Sequence, residues 1–554
     1  MSLFAGIYAR DISHPRYQAI KQKLLSALTL ADSAPTVTEL GPLWLVRHSD
    51  RCFGENETTQ SEVHFATCVG APLLSDSLAA DLSQLRDNPA AKLADAQGVF
   101  TLLHFHKRTQ VFSLFHDRLA LKPTYWRNAY DGTVFSNQLS TLSALPLPLS
   151  NHPVGLAAMA TLGYPLGEDT PYREIRCARP GECLQFDGQE VSRHRHLDWV
   201  AEPSTYLTLA EAAEQLDAAF DVALTRSLGR DCTTVSTLSG GLDSRLIAAA
   251  LMRRGVKVKC LNFSRPDSQD SVCAQLWAEQ SGIPLSRIAV DDTQSQTVEQ
   301  RLGAHLQPGR FPPIRQIPRP RMVWSGNGGS VCVGGVYFGR EIEKAAQSGD
   351  VEATADAFLA QQQAYLPTRL LAHGQALQQD LKATVISELA RDEHRPLARR
   401  LQLFLWHNDQ HRHLAAPFED YGDYRLEFHL PFYSAGVLAA VLSAPPEAVC
   451  RHQLYMSWIE RCFPQMLCTP WQTYPGHLPC PLPLPGLDQW TFAGQRSRHQ
   501  RGQMIRAFWQ GQRHNLVQGR QVALLCLADR LGLRDAGPSL KALNVFNRYG
   551  VSDT

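Results

Sequence analysis

The sequence predicts a two-part α/β protein. Stacked antiparallel sheets are expected over residues 1–200, a doubly wound parallel sheet over 208–480, and a helical extension over 481–554. Two observations carry this. The first two hundred residues read as many short strand-like runs with few helices, whereas beyond residue 208 β-branched runs alternate with stretches of helical periodicity. A chain of 554 residues is also long enough for more than one core.

In the first part, residues 100–106 and 110–116 are alternating or apolar runs on either side of Lys107-Arg108-Thr109, a hairpin pattern. Asp131-Gly132 is a turn signal ahead of a strand at 133–136. Helices are expected at 17–31 and 154–161, and Pro180-Gly181-Glu182 turns into a last hairpin ending near Trp199. Residues 200–205, with Pro203, read as the linker. In the second part, strands are expected at 233–237, 256–263 and 288–290. Helices are expected at 210–228, 243–254 and 271–282, and residues 347–405 read as mostly helical. The proline- and arginine-rich connection at 312–320 reads as a loop on the rim of a site.

Fifty-four basic side chains against 53 acidic ones give no reason to expect nucleic acid as a partner. The start lacks a basic region followed by a long apolar one, and no apolar run is long enough to span a bilayer, so a cytoplasmic protein is expected. Thirteen scattered cysteines contain no Cys-x-x-Cys pair. Cys450, Cys462, Cys468 and Cys480 are too widely spaced for common zinc sites and are expected to be buried thiols. His104 with His106, and His194 with His196, read as exposed or capping imidazoles on strands.

The stretch from Thr233 to Gly255 organises the second part as strand, glycine turn and helix. The first turn of such a helix offers unpaired N–H groups and a positive dipole end, where phosphate is a natural ligand. Gly240 and Gly241 permit close approach, Ser239 and Ser244 offer hydroxyls, and Asp243 is placed to hold Mg²⁺. On local physics alone, an ordinary capped strand-to-helix turn fits equally well. Phe263 and Ser264 end the next strand, where a base edge could be met or a core Phe could sit.

Ser239-Gly240-Gly241-Leu242-Asp243-Ser244 resembles the pyrophosphate-binding loop of the N-type ATP pyrophosphatases, and of asparagine synthetase B in particular. Ser325-Gly326-Asn327-Gly328-Gly329-Ser330, continuing to Gly334-Gly335, resembles that family's second glycine-rich segment. The resemblance implies an adenine nucleotide α-hydrolase-like synthetase domain that uses ATP and Mg²⁺. Leu238, Ser239, Gly240, Gly241, Asp243, Ser244, Phe263, Ser264, Ser325 and Gly326 would meet the nucleotide, and Asp243 the metal. Asn327 stands where the family has a Glu or Tyr that assists amine attack, and Ser330 where it has a Mg²⁺-binding Asp, so further metal support would come from elsewhere, for instance Glu341. The run 407–413 resembles the family's Arg-Asn-Asp-Arg helix, and Arg425-Leu426-Glu427 leading to Pro431-Phe432 resembles its Val-Glu-Ala-Arg-Val-Pro-Phe segment. That match implies a site role for Glu427: orienting Asn327, binding the amine or supporting the metal. Arg451 and Arg461 are candidates for the charge that neutralises pyrophosphate. Pro470 to His477 occupies the place of the family's Lys-rich loop without its Lys, and its aromatics with prolines would suit a wall for a sugar or peptide acceptor.

Gly98-Val99-Phe100, the segment from His116 to Trp126, Phe135-Ser136-Asn137 and Arg179-Pro180-Gly181 match, in order, landmarks of that family's amino-terminal glutaminase domain. An Ntn-like αββα sandwich is therefore implied for residues 1–200. The family's start carries a nucleophilic Cys, but here it reads Met1-Ser2-Leu3-Phe4-Ala5-Gly6-Ile7, and the glutamine-binding segments are missing. A degenerate, structural domain is implied, as in β-lactam synthetase, carbapenam synthetase and lasso peptide cyclases. The expected activity is an AMP-forming carbon–nitrogen ligase that adenylates a small-molecule, peptide or glycan carboxylate and joins it to an amine or ammonia without glutamine. The alternatives are a lasso-type macrocyclase and a nucleotide-binding pseudoenzyme or assembly partner, and a second copy or a biosynthetic-cluster protein are candidate partners.

Overall fold

A computed structural model describes residues 2–29, 34–49, 52–53, 57–187, 190–229, 234–290, 298–306, 322–362, 365–413, 415, 419, 426–474, 477–488, 498–510 and 515–551. Among the expected features, Thr233, residues 312–320, Arg425, Pro475 and Gly476 lie outside them. The chain forms two compact units. One comprises Met1–Pro146, Ala178–Tyr337 and His413–Gln489, the other Leu147–Cys177, Phe338–Arg412 and Trp490–Thr554.

Within the first unit, one antiparallel sheet runs in spatial order Tyr125–Ala129, Gly132–Ser136, Leu3–Ala9, Leu43–His48, Thr36–Leu40. The second runs Val191–Arg195, Glu182–Phe186, Val111–His116, Phe100–His106, His64–Gly70, Thr58–Gln60. Phe4 and Leu45 of the first sheet share a core with Phe105, Phe112 and Leu184 of the second. Helix Gln18–Leu28 buries Ile20, Leu24 and Leu28 against the outer face of the first sheet. Helix Leu78–Leu85 packs Leu78 and Leu82 with Phe100 and Leu102 on the outer face of the second. The layers are thus αββα. Both faces of the second sheet are covered, so Phe100–His106 reads as a nearly continuous buried run rather than a strict alternation.

Gly6 has a steric reason, because a Cβ there would lie 2.4 Å from the Phe135 ring. The hairpin expected at 107–109 forms, with His106 opposite Val111. His106 Nδ1 accepts the Thr109 N–H at 3.1 Å. The rings of His104 and His196 reach the Arg86 and His116 carbonyls at 2.8 and 3.0 Å. These imidazoles serve the backbone.

The same unit holds a parallel sheet ordered Leu285–Ala289, Lys259–Ser264, Val235–Thr237, Met322–Trp324, Glu427–His429. Helix Leu209–Leu228 precedes it, opened by a capping box between Thr208 and Glu211. Helix Leu242–Arg253 follows the central strand, and its residues from Ser244 to Leu251 are all buried. Helix Gln269–Ser281 ends at Gly282, whose φ of 71° is left-handed.

On the edge strand of this sheet, Glu427 pairs with Lys122 of the sandwich at 2.6 Å, each side chain 2% exposed. Burial pushes the Glu427 carboxyl up most strongly, but the Lys122 ammonium, other nearby positive charge and the Phe428 N–H together outweigh it, holding the group below its ordinary value.

The second unit is helical. Leu156 of Pro153–Thr161, Leu377 of Gly374–Leu389, Phe508 of Arg498–Gln510, Val522 of Gly519–Arg530 and Phe546 of Gly537–Tyr549 share one core. The closing helices drawn from sequence as an extension are therefore part of a composite core, because their apolar faces meet partners from two earlier segments. The twelve described cysteines are free thiols. Of the four expected to be buried, Cys450 is, Cys468 is exposed, and Cys462 and Cys480 are intermediate. Among the described residues, no group of three His, Cys, Asp or Glu is arranged to hold a metal, and no helix is long and apolar enough to cross a membrane.

Lys122→Met leaves Glu427 buried without its partner and is expected to cost about 3–5 kcal/mol in chemical denaturation. Lys122→Met with Glu427→Leu should recover most of that loss. Because the folded pKa of Glu427 is depressed, the contribution of the pair is complete above the ordinary value of 4.5 and is lost as pH falls through the depressed one.

Candidate active site

Ligands of doubly wound sheets sit beyond the carboxyl ends of the strands. There the central strand Val235–Thr237 leads into the glycine turn, with the Leu238 N–H bonded to Leu261 O at 2.8 Å. A Cβ on Gly240 would come within 2.7 Å of the Asp270 backbone, so the turn admits no side chain there. Three of its amides are satisfied internally. Ser239 N–H donates to Ser244 Oγ at 2.8 Å, Gly240 N–H to Asp270 Oδ1 at 2.9 Å, and Gly241 N–H to Ser239 Oγ at 3.3 Å.

The next two amides differ. Gly241 caps the helix without a side-chain bond, and the N–H groups of Leu242 and Asp243 have no acceptor among the described residues. They stand at the positive end of the macrodipole beside the hydroxyls of Ser239 and Ser244, which lie 2.9 Å apart. This fits a phosphate group. Arg245, on the same helix, is wholly buried and holds the segment after helix Gln453–Cys462. It donates to Met466 O at 2.8 Å and Pro470 O at 2.9 Å, and burial lowers its pKa to about 10.

Asp243 behaves unlike its neighbours. Its Oδ2 accepts from Ser330 N–H at 2.9 Å and Ser330 Oγ at 2.7 Å, and its Oδ1 accepts from the Tyr455 hydroxyl at 2.8 Å. Burial raises its pKa, and those donors pull it back only in part. Gly326 and Gly329 press their backbones on the same residue, since a Cβ on either would lie 2.7 Å from an Asp243 atom. A Mg²⁺ ion needs open carboxylate oxygen and near-octahedral space. These surroundings do not fit it.

Ser325 follows strand Met322–Trp324, its N–H on His429 O at 3.1 Å and its Oγ accepting Asn327 N–H at 3.2 Å. Asn327 Nδ2 is buried without a partner. Leu238, Ser239, Gly240, Gly241, Asp243, Ser244, Ser325, Gly326 and Asn327 thus lie on two adjacent strand-end turns. Phe263 is buried edge-to-face with His305, and the Ser264 hydroxyl donates to Asn262 Oδ1. Glu427 is not brought to Asn327. It pairs in register with Met322, at the opposite end of the sheet from the turns, where Lys122 holds it. Arg461 is on the surface in a pair with Glu214, and Glu341 is exposed in the helical unit.

Arg451 and His452 both adopt left-handed φ, 52° and 64°, just before helix Gln453–Cys462, which carries Tyr455. The Gly334 carbonyl accepts the His452 N–H at 2.9 Å. His477 Nε2 donates to Val336 O at 2.7 Å, leaving Nδ1 as a buried, unpartnered acceptor. Tyr455, Asp270, Arg245 and His452 were not singled out by sequence, and His477 entered only as the end of the loop that replaces the Lys-rich segment. None carries a motif of its own, although Arg245 directly follows the glycine-turn motif.

At the amino end, the Ser2 hydroxyl donates to Glu57 Oε2 at 3.1 Å, and Arg47 pairs with the same oxygen at 3.3 Å. Asn137 bridges, accepting Phe4 N–H at 3.0 Å and donating to Ser2 O at 3.1 Å. Ser2 is 6% exposed.

An αββα sandwich joined to a parallel sheet with glycine turns at its carboxyl edge is the architecture of an amidotransferase domain coupled to an ATP-using synthetase domain. Residues 82–197 match the glutamine amidotransferase domain, and residues 215–455 match asparagine synthase. With both modules present in this order, the chain is an asparagine synthetase-like protein, in the general class of ATP-dependent amide-forming ligases, a family in which Mg²⁺ is typical. No curated protein matches it. Among solved structures it is similar to the allosteric regulatory enzyme of purine biosynthesis, at 12% identity and a TM-score of 0.24, over 59% of this chain and 74% of that one. It is also similar to glutamine phosphoribosylpyrophosphate amidotransferase from B. subtilis complexed with ADP and GMP, at 12% identity and a TM-score of 0.24, over 60% and 77%.

Gly326→Ala places a Cβ 2.6 Å from Ser244 N and is expected to push the two turns apart. A lower thermal midpoint together with weaker ATP binding by calorimetry checks this. A variant unchanged in both would mean the turns are not in contact.

Proposed function

We propose that this chain adenylates a substrate carboxylate with ATP and passes the acyl group to an amine, without hydrolysing glutamine. The observation that carries the reading is the pair of open amides at Leu242 and Asp243, at the carboxyl end of the central strand in the domain matched to asparagine synthase. Those amides and the Ser239 and Ser244 hydroxyls would cradle the phosphates, with Arg451 as a candidate charge for departing pyrophosphate. Arg245, a buried cation on the same helix, adds positive potential. A carboxylate oxygen attacks the α-phosphorus, the bond to pyrophosphate breaks, and the amine then displaces AMP from the acyl carbon. The chain's share is placement and charge stabilisation. Asn327, with an unpartnered Nδ2, can donate to the acyl oxygen but cannot take the amine proton. No step is assigned to a metal.

Independence from glutamine is supported by Ser2, a weaker nucleophile than a thiol, whose hydroxyl is already committed to Glu57. The acceptor is a glycan uronate or a specialised peptide or small molecule, with lasso-type ring closure among the candidates. A second reading, a nucleotide-binding partner without turnover, draws on the Asp243 carboxylate being occupied by three hydrogen bonds from Ser330 and Tyr455.

Exchange of labelled pyrophosphate into ATP, across a panel of carboxylates, is expected with the parent chain. Leu242→Pro removes one open amide at a helix position that tolerates proline, and is expected to weaken ATP binding about ten- to hundredfold while the fold persists. No exchange with any carboxylate would favour the second reading, and no ATP binding either would end both. Glutamate release from glutamine is expected to be absent; release that Ser2→Ala abolishes would refute the glutamine-independent reading.

A further inference from the structure

Asp243 occupies the position where a cation is expected, and its surroundings fill that position with something else. Both in-plane lone pairs of Oδ2 are taken by Ser330, through its amide at 2.9 Å and its hydroxyl at 2.7 Å. Oδ1 is taken by Tyr455 at 2.8 Å. The backbone of Gly329 lies close over the carboxylate, where a Cβ would be 2.7 Å from Cγ and 2.9 Å from Oδ1, and three of the four acceptor positions of the carboxylate are taken, which leaves a hydrated ion one position on Oδ1. All three donors are neutral. A Ser hydroxyl that donates to the carboxylate also cannot serve as an anionic ligand beside it.

The three residues come from three segments: the first turn of helix Leu242–Arg253, the turn after strand Met322–Trp324, and helix Gln453–Cys462. The last is delivered by the two left-handed residues Arg451 and His452, whose corner packs on Gly334 and Gly335. A Cβ on Gly334 would meet His452 at 2.1 Å, and one on Gly335 would meet Val449 O at 2.5 Å. Strain of this kind persists only where the surroundings over-determine it. Here it aims one phenol at one carboxylate.

We propose that Asp243, Ser330 and Tyr455 form a hydrogen-bonded clasp that takes the place of a divalent cation, so that the two ligand turns are joined without metal and the chain holds no Mg²⁺ at Asp243. Any divalent ion that accompanies a nucleotide is then held by the phosphates and water alone. The clasp stands whether or not the chain turns over ATP.

The test is a Mn²⁺ titration of the full chain without nucleotide, read by the electron paramagnetic resonance of free Mn²⁺. The parent is expected to leave the signal undiminished up to about 1 mM, and Ser330→Asp, which sets a second carboxylate beside Asp243, to bind Mn²⁺ at least about tenfold more tightly. The thermal midpoint of the parent should be the same in EDTA and in excess Mg²⁺, and should fall in Ser330→Ala and in Tyr455→Phe. If Ser330→Asp does not fold, the parent titration and the EDTA comparison decide alone. Mn²⁺ uptake by the parent that Asp243→Asn abolishes would overturn the proposal. So would a midpoint that Mg²⁺ raises in the parent but not in Asp243→Asn.

Discussion

Two neighbouring turns must touch through their backbones, and much of the second sheet's carboxyl edge follows from that. The turn at 239–241 and the turn at 326–329 end adjacent parallel strands, and Gly326 and Gly329 are the residues that let the second close on Asp243 and Ser244. With Asp243 spent on Ser330 and Tyr455, the helix meets an anion chiefly with its backbone N–H groups, beside the Ser244 hydroxyl. A backbone cradle is less easily titrated away than a carboxylate. It is also indifferent to which phosphate ester enters, so selectivity for the group beyond the phosphates must come from other walls.

Local pattern made many elements legible before any coordinates. The hairpin around 107–109, the helix at 210–228 and the strand–turn–helix at the centre lie within a few residues of expectation, because alternation, capping residues and glycine stops are properties of neighbours in sequence. What escaped depends on distant segments. Tyr455 is 212 residues from Asp243, so nothing near the carboxylate announces the phenol that takes one of its oxygens. Glu427 was placed in a site from the motif around it, yet which end of a strand a residue occupies decides its neighbours, and Glu427 falls at the end facing the sandwich. The four late cysteines show the same limit: spacing argued against a metal but could not say which thiols a fold would cover.

The sandwich also has a structural part to play. Its polar end is consumed by its own contacts, with Ser2, Glu57, Arg47 and Asn137 bound to one another or to the first strand. Its segment from His116 to Trp126 sends Lys122 into the edge of the parallel sheet. Removing a buried charge pair as a unit is far easier than removing one half. That asymmetry ties the amidotransferase-like fold to the synthetase-like one.

The helical unit is laced together from the chain's middle and its end. Asn151 bonds to the backbone of Val551 across 400 positions, and Leu156 and Phe546 share one core. During synthesis, the early helix Pro153–Thr161 can therefore pack on helix Gly374–Leu389 but completes its core only once helix Gly537–Tyr549 has left the ribosome. The sandwich strands and the parallel sheet can close first. A ribosome stalled or a chain cut shortly before residue 537 would release a protein whose helical unit lacks the Leu540, Leu543 and Phe546 side of its core, a natural client for chaperones.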